Sequence, residues 1–189
     1  LLASITYLSE KKSPLISQLT TSLVFPILRL FLLDRDRLIR ENTIKIFRLL
    51  VESPASFALL KQKHIHIFLA RALERETKQD IFNENIQILK LLRKWIDIDP
   101  KNFPKLLANT LVSLSESSED LIKKAVIENL RKLAISNPEL AAWSGAIRIL
   151  VDAIIDPTTR EMSEPLTYTL LFLVNDPASR NAVKSHLDF

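Results

Sequence analysis

In five places a helix-capping residue stands directly before a proline: Ser13-Pro14, Ser53-Pro54, Asp99-Pro100, Asn137-Pro138 and Asp176-Pro177. The prolines are 40, 46, 38 and 39 residues apart. Ser, Asp and Asn at an N-cap accept hydrogen bonds from the unpaired N–H groups of a helix's first turn. Proline at the next position lacks an N–H that would be unpaired anyway, and its φ is already helical. One helix-start signal therefore recurs about every 40 residues, the length of an α-helical solenoid repeat. Such a repeat cannot bury its apolar face by itself and must stack on its neighbours, which makes an extended surface rather than a pocket for chemistry.

The segments between these signals carry the period of a helix. Before Ser53, roughly Arg37 to Glu52, Ile44, Phe47 and Val51 fall on one side with Ile46 and Leu50 beside them. Before Asp99, roughly Gln79 to Ile98, the inward set is Ile88, Leu89, Leu92, Trp95 and Ile96. Before Asn137 it is Ile122, Val126, Leu130 and Leu133, and before Asp176 the run Leu170 to Val174 is apolar all round, which predicts a helix buried between neighbours. Leu1, Ile5 and Leu8 read as the end of another such helix.

After each cap a short helix and then a longer one are expected. Pro54 to about Lys61 precedes His66 to about Arg75. Pro138 to Trp143 precedes a helix lined by Ile147, Leu150, Val151 and Ile154, with Ser144-Gly145 as the break. Pro104 and Pro26 mark the corresponding second starts. Asp156-Pro157 is out of phase and reads as a loop over 156–160, with Pro165 starting or kinking the following helix. Three helices per repeat is the armadillo pattern and two the HEAT pattern; the third unit, where Pro104 closely follows Pro100, is nearly HEAT-like. The predicted fold is all-α: an armadillo/HEAT-like right-handed superhelical solenoid of about five repeats. It forms a single domain over 1–189, with approximate units 1–35, 36–76, 77–117, 118–158 and 159–189.

Composition removes several alternatives. With one glycine, Gly145, the chain has no glycine-rich loop to cradle a phosphate or dinucleotide and cannot supply the primed turns of hairpin-rich β folds. Without cysteine it has no disulfide and no thiolate metal site, which fits a reducing compartment. The net charge is +4, but acids and bases alternate, as in Asp34-Arg35-Asp36-Arg37, so a solvated face is the better reading than a nucleic-acid footprint. The apolar run Leu23 to Leu33 is too short to span a membrane and carries Arg29. Leu1-Leu2 follows neither an initiator Met nor a basic segment, so the sequence reads as an excerpt from a longer chain rather than one opening on a signal peptide.

No constellation points to catalysis, a cofactor or a metal. His64 and His66 would diverge on a helix and have no third ligand at matching spacing, and His186 is isolated. Asp97-Ile98-Asp99 lacks the mid-loop glycine and closing glutamate of a calcium loop, and Asp99 is better read as an N-cap. Glu74-Arg75-Glu76 and Glu116 to Asp120 lie in polar, loop-like contexts, where Glu119 and Asp120 favour a helix start. No serine sits in a Gly-x-Ser-x-Gly elbow. The third helices of the units are expected to line the concave face, with Arg71, Arg75, Lys105, Asn109, Arg148 and Asp152 as candidates for contact with a partner. Asn109 has no equivalent at the repeat spacing, and Trp95 and Trp143 do not keep phase, unlike the ladders of nuclear-import armadillo proteins.

The order of segments resembles one family. Asp34 to Arg40 followed by Phe47 to Leu50, Leu89 to Ile96 followed by Asn102-Phe103-Pro104, and Leu133 to Glu139 carry the likeness, together with Ser144 to Leu150, Asp152, Asp156, Ser163-Glu164, Leu170-Leu171 and Leu173 to Arg180. In this series, continuous from about Leu32 to Val183, the chain is similar to the Rictor family, the scaffold subunit of TOR complex 2. It departs from that pattern at Ser144-Gly145, where the family has a double glycine, and at Asp80 to Asn85, where it is glutamate-rich. The resemblance implies a non-enzymatic, cytoplasmic scaffold that holds the TOR kinase and a Sin1-like subunit, helps present AGC-family kinases as substrates, and can sit peripherally at membranes as part of a complex. Periodicity and composition alone leave two other readings open, an armadillo adaptor in trafficking or the cytoskeleton and a nucleic-acid-binding helical repeat.

Overall fold

The computed structural model describes residues 24–75 and 82–184. The Ser13-Pro14 pair, the helix end at Leu1 to Leu8 and His186 lie outside them. The described residues are all-α and form two compact units that divide after Leu91, within one long helix.

The first unit holds helices α1 (Val24–Phe31), α2 (Arg37–Leu50), α3 (Pro54–Gln62) and α4 (Ile65–Leu73) and the first part of α5 (Phe82–Ile98). Asp36 caps α2 by accepting from the Leu38 N–H, and the Ser53-Pro54 signal ends it, because the residue before a proline is pushed out of the helical region. As predicted, Ile44, Ile46, Phe47, Leu50 and Val51 are buried, joined by Leu28, Leu32, Phe57, Leu60, Leu69 and Leu73. His64, with φ +54, makes the break between α3 and α4.

The second unit continues α5 and adds a 3-10 turn (Pro100–Asn102), α6 (Lys105–Leu114), α7 (Asp120–Ser136), α8 (Pro138–Trp143), α9 (Ala146–Ile155), a second 3-10 turn (Pro157–Met162), α10 (Ser163–Asn175) and α11 (Pro177–Lys184). The cap signals act as written. The Asn137 side chain accepts from the Leu140 N–H at 3.1 Å and that of Asp176 from the Ser179 N–H at 2.7 Å. Gly145, at φ +80, ends α8 in the left-handed conformation that glycine adopts without steric cost and opens α9. Ile122, Val126, Leu130 and Leu133 form the buried seam of α7, and Leu92, Trp95 and Ile96 that of α5.

Packing in this unit follows the sequence period. α6 packs on α9, α7 on α10, and α8 on α11, so each of these helices meets the one three α-helices further along the chain. Across the described residues, the side-chain hydrogen bonds that join distant positions span between 33 and 44 residues: Lys123 to Asp156, Arg93 to Glu128, Lys132 to Asp97, Asn137 to Pro100, Arg48 to Gln87, Arg75 to Leu33 and Arg40 to Glu84.

Three expectations are corrected. The apolar run in α10 is not buried all round: Leu173 is, but Leu171, Phe172 and Val174 are exposed, because α7, α9 and α11 cover only the side carrying Leu166, Thr169 and Leu173. On α9, Ile147 and Leu150 face the core but Val151 is exposed. Asp156 to Arg160 is no open loop. Asp156 caps a 3-10 turn through the Thr158 N–H at 2.8 Å, and buried Thr159 donates to the Ala153 carbonyl at 2.6 Å. The Asp99-Pro100 signal, for its part, starts a single 3-10 turn rather than an α-helix, with the Asp99 carboxylate accepting from the Asn102 amide at 2.8 Å.

Candidate partner-binding cleft

A cleft of about 260 Å³ opens in the second unit between the first 3-10 turn with the start of α6 and the short helix α8. Lys101, Phe103 and Lys105 line one side and Asn137, Glu139, Leu140 and Trp143 the other. Its base is rigid. Phe103 is buried and stacks edge-on against Trp95, with ring centroids 6.4 Å apart. Asn137 ties the walls together: its amide donates to the Pro100 carbonyl at 2.8 Å while its side-chain oxygen caps α8.

The mouth is aromatic and cationic. Trp143 is 43% exposed, and the Lys105 ammonium lies 4.6 Å from the centre of its ring, a cation–π contact. Lys101 and Lys105 are exposed and take part in no ion pair among the described residues. Several cations elsewhere in this unit are paired. Lys123 pairs with Asp156, Lys124 with Glu161, Arg131 with Glu128, and Lys132 with Asp97. The pairing holds the carboxylates in their charged form: bonds from Lys123 and Thr158 bring Asp156 down to about 2, and the Arg131 guanidinium holds Glu128 below the usual carboxylate range. The cleft contains two ammonium groups, one carboxylate and no nucleophile beside a base.

The six residues picked from sequence are dispersed. Arg71 is exposed on α4, and Arg75, just beyond that helix, is half-buried and donates to the Leu33 carbonyl at 2.6 Å. Lys105 and Asn109 are exposed one turn apart on α6, and Lys105 alone of the six lines the cleft. Arg148 and Asp152 are exposed on α9 and face each other at 4.0 Å as an i, i+4 pair. Sequence reasoning passed over Trp143 because it kept no phase with Trp95. Arg35, Asp36 and Arg37 are exposed, as the solvated-face reading has it, and Asp36 also caps α2; nearby Arg40, which the sequence reading did not single out, is a buried cation bound to Glu84. His64 and His66 meet edge to face at 5.8 Å. Burial, and then His64, push His66 below the usual imidazole value.

The family model for the N-terminal region of the rapamycin-insensitive companion of mTOR matches residues 2–189. The chain belongs to this family. The resemblance carried by the segment order from Leu32 to Val183 named the same one. Pianissimo A of Dictyostelium discoideum is 28% identical over 160 residues, which is 85% of this chain and 14% of that protein. The rapamycin-insensitive companion of mTOR of Mus musculus is 26% identical over 164 residues, 85% of this chain and 10% of that protein. A Saccharomyces cerevisiae relative, the target of rapamycin complex 2 subunit TSC11, is 23% identical over 143 residues, 76% of this chain and 10% of its own length. The chain thus spans between 10% and 14% of the relatives it matches. None of these names denotes a catalytic activity. Among the described residues no helix is long and apolar enough to cross a membrane, and no group of three or more His, Cys, Asp or Glu residues is placed to hold a metal ion.

Proposed function

We propose that the chain is a non-catalytic scaffold region of a TOR complex 2 subunit, a stack of armadillo/HEAT-like repeats that holds the TOR kinase and a Sin1-like subunit in one cytoplasmic assembly. The observation that carries this reading is the constant reach of the long-range side-chain bonds, 33 to 44 residues, together with the packing of α6 on α9, α7 on α10 and α8 on α11. A stack of units that touch only their neighbours behaves in this way, and its stability grows by nearest-neighbour terms while its flank remains open to partners. Family membership and the name of the yeast relative supply the identity of the complex. The units are taken as 36–76, 77–117 and 118–158, flanked by 1–35 and 159–189.

The test is purification of the full-length protein from its source cells. A TOR-type kinase should be recovered in constant proportion through two dissimilar separations. Recovery without one overturns the scaffold reading.

A further inference from the structure

We propose that the cleft between the Pro100–Asn102 turn and α8 receives an acidic peptide segment, whose Asp or Glu side chains meet Lys101 and Lys105 and whose large apolar side chain lies against Trp143. This deepens the scaffold reading and rests on it for its biological setting.

Charge selects the occupant. Lys101 and Lys105 converge on the cleft, form no ion pair among the described residues and outnumber its single carboxylate, Glu139. Uncompensated positive charge of this kind speeds the approach of an acidic segment and rejects a basic one. Trp143 supplies the anchor. A half-exposed tryptophan on a fixed helix offers a large rigid contact area at small entropic cost, and tryptophan leads the residues that carry interface energy. Asn137 links the two walls by its bond to the Pro100 carbonyl.

Other occupants fit less well. At about 260 Å³ the cleft lies below the roughly 300–1,000 Å³ of small-molecule sites and is the right size for one side chain with its flanks in solvent. Single-stranded nucleic acid needs successive aromatic platforms, and the cleft presents one exposed ring. The Asn137 amide already donates one N–H to the Pro100 carbonyl and accepts from the Leu140 N–H, and the proposed selectivity rests on charge and on the ring. Lysines, as flexible point charges, suit carboxylates at variable spacing and do not impose bidentate geometry.

A displayed library of random 12-residue peptides is selected on the immobilised 189-residue chain, in parallel with Lys101→Glu/Lys105→Glu and Trp143→Ala. The wild-type chain should enrich peptides with net negative charge and one aromatic or large aliphatic residue. The synthesised winner should bind about tenfold more weakly to the double charge reversal and about 30-fold more weakly to Trp143→Ala. Glutamate in the first turn of α6 favours that helix, so the charge-reversed protein should keep its thermal midpoint, which a melting curve verifies. Enrichment of basic or neutral peptides, acidic peptides that bind both variants as well as wild type, or no enrichment above a blank surface overturns the proposal. The scaffold reading is scored separately by kinase recovery with the full-length protein. A wild-type chain that selects acidic peptides while the full-length protein recovers no kinase refutes the scaffold reading and leaves the cleft assignment standing.

Discussion

Replacing Arg40 by methionine should be among the most damaging single changes in the first unit. The guanidinium is held on three sides. Its Nε and Nη2 donate to the two carboxylate oxygens of Glu84 at 2.8 and 2.7 Å, and Nη1 donates to the Asp34 and Arg35 carbonyls at 2.9 and 2.8 Å. The two side chains are only 8% and 5% accessible. The bond from Glu84 is the main reason the Arg40 pKa is raised, so this cation stays charged at any working pH. Methionine retains most of the aliphatic stem, and what is lost is the charge and its four hydrogen bonds. Glu84 is then left buried without a counter-ion, and breaking a buried pair from one side costs about 3–5 kcal/mol. Against a total stability of about 5–15 kcal/mol that is a large fraction, equivalent to a fall in Tm of roughly 6–20 °C at about 2–4 °C per kcal/mol. Urea titration followed by circular dichroism measures the loss. Because most of the cost is the stranded carboxylate and not the net worth of the pair, Arg40→Met/Glu84→Leu should recover much of it. A loss below about 1 kcal/mol for Arg40→Met, or a double variant as poor as the sum of the two singles, would refute the reasoning.

Three further outcomes follow from the same geometry. Leu130→Ala, at a fully buried position of the α7 seam, should cost about 2–5 kcal/mol in the same titration. Gly145→Ala should cost about 1 kcal/mol from the left-handed backbone alone, since an added Cβ at φ +80 meets nothing within 4 Å; the reciprocal His64→Gly at φ +54 should gain about 0.5–1 kcal/mol. Lys123→Ala should raise Asp156 from about 2 back toward 3.8, read by carboxyl NMR titration. The folded value is depressed, so the stabilisation is present above pH 3.8 and fades as pH falls toward 2, and the variant should flatten that acid limb.

Much of the fold is legible in the sequence because its punctuation and its period are local. Pro138 to Trp143 is the predicted short helix residue for residue, since Asn137 caps it and Gly145 ends it by backbone rules that need no tertiary partner. The seams Ile44-Phe47-Val51 and Ile122-Val126-Leu130-Leu133 are buried as their spacing requires. The failures lie where packing decides. Periodicity could say that Leu170 to Val174 is apolar on every side but not how many neighbours would cover it. Capping chemistry identified Asp99-Pro100 as a start, while the cap-like Asp156-Pro157 was read as a loop; whether such a pair opens an α-helix or one 3-10 turn depends on what the following residues pack against.

The cleft was hidden for a related reason. Tryptophan and asparagine ladders are sought by comparing equivalent positions of successive repeats, and by that criterion Trp143 is out of register with Trp95. The long-range bonds follow a different rule. They join non-equivalent positions roughly one period apart: an α5 residue to one of α7 in Arg93 to Glu128, or a cap to the preceding turn in Asn137 to Pro100. Lys105 and Trp143 obey it as well, one from the start of a medium helix and the other from the end of the next short helix. Arg40 and Glu84, 44 residues apart, obey it too, while Arg35, Asp36 and Arg37 remain a solvated face.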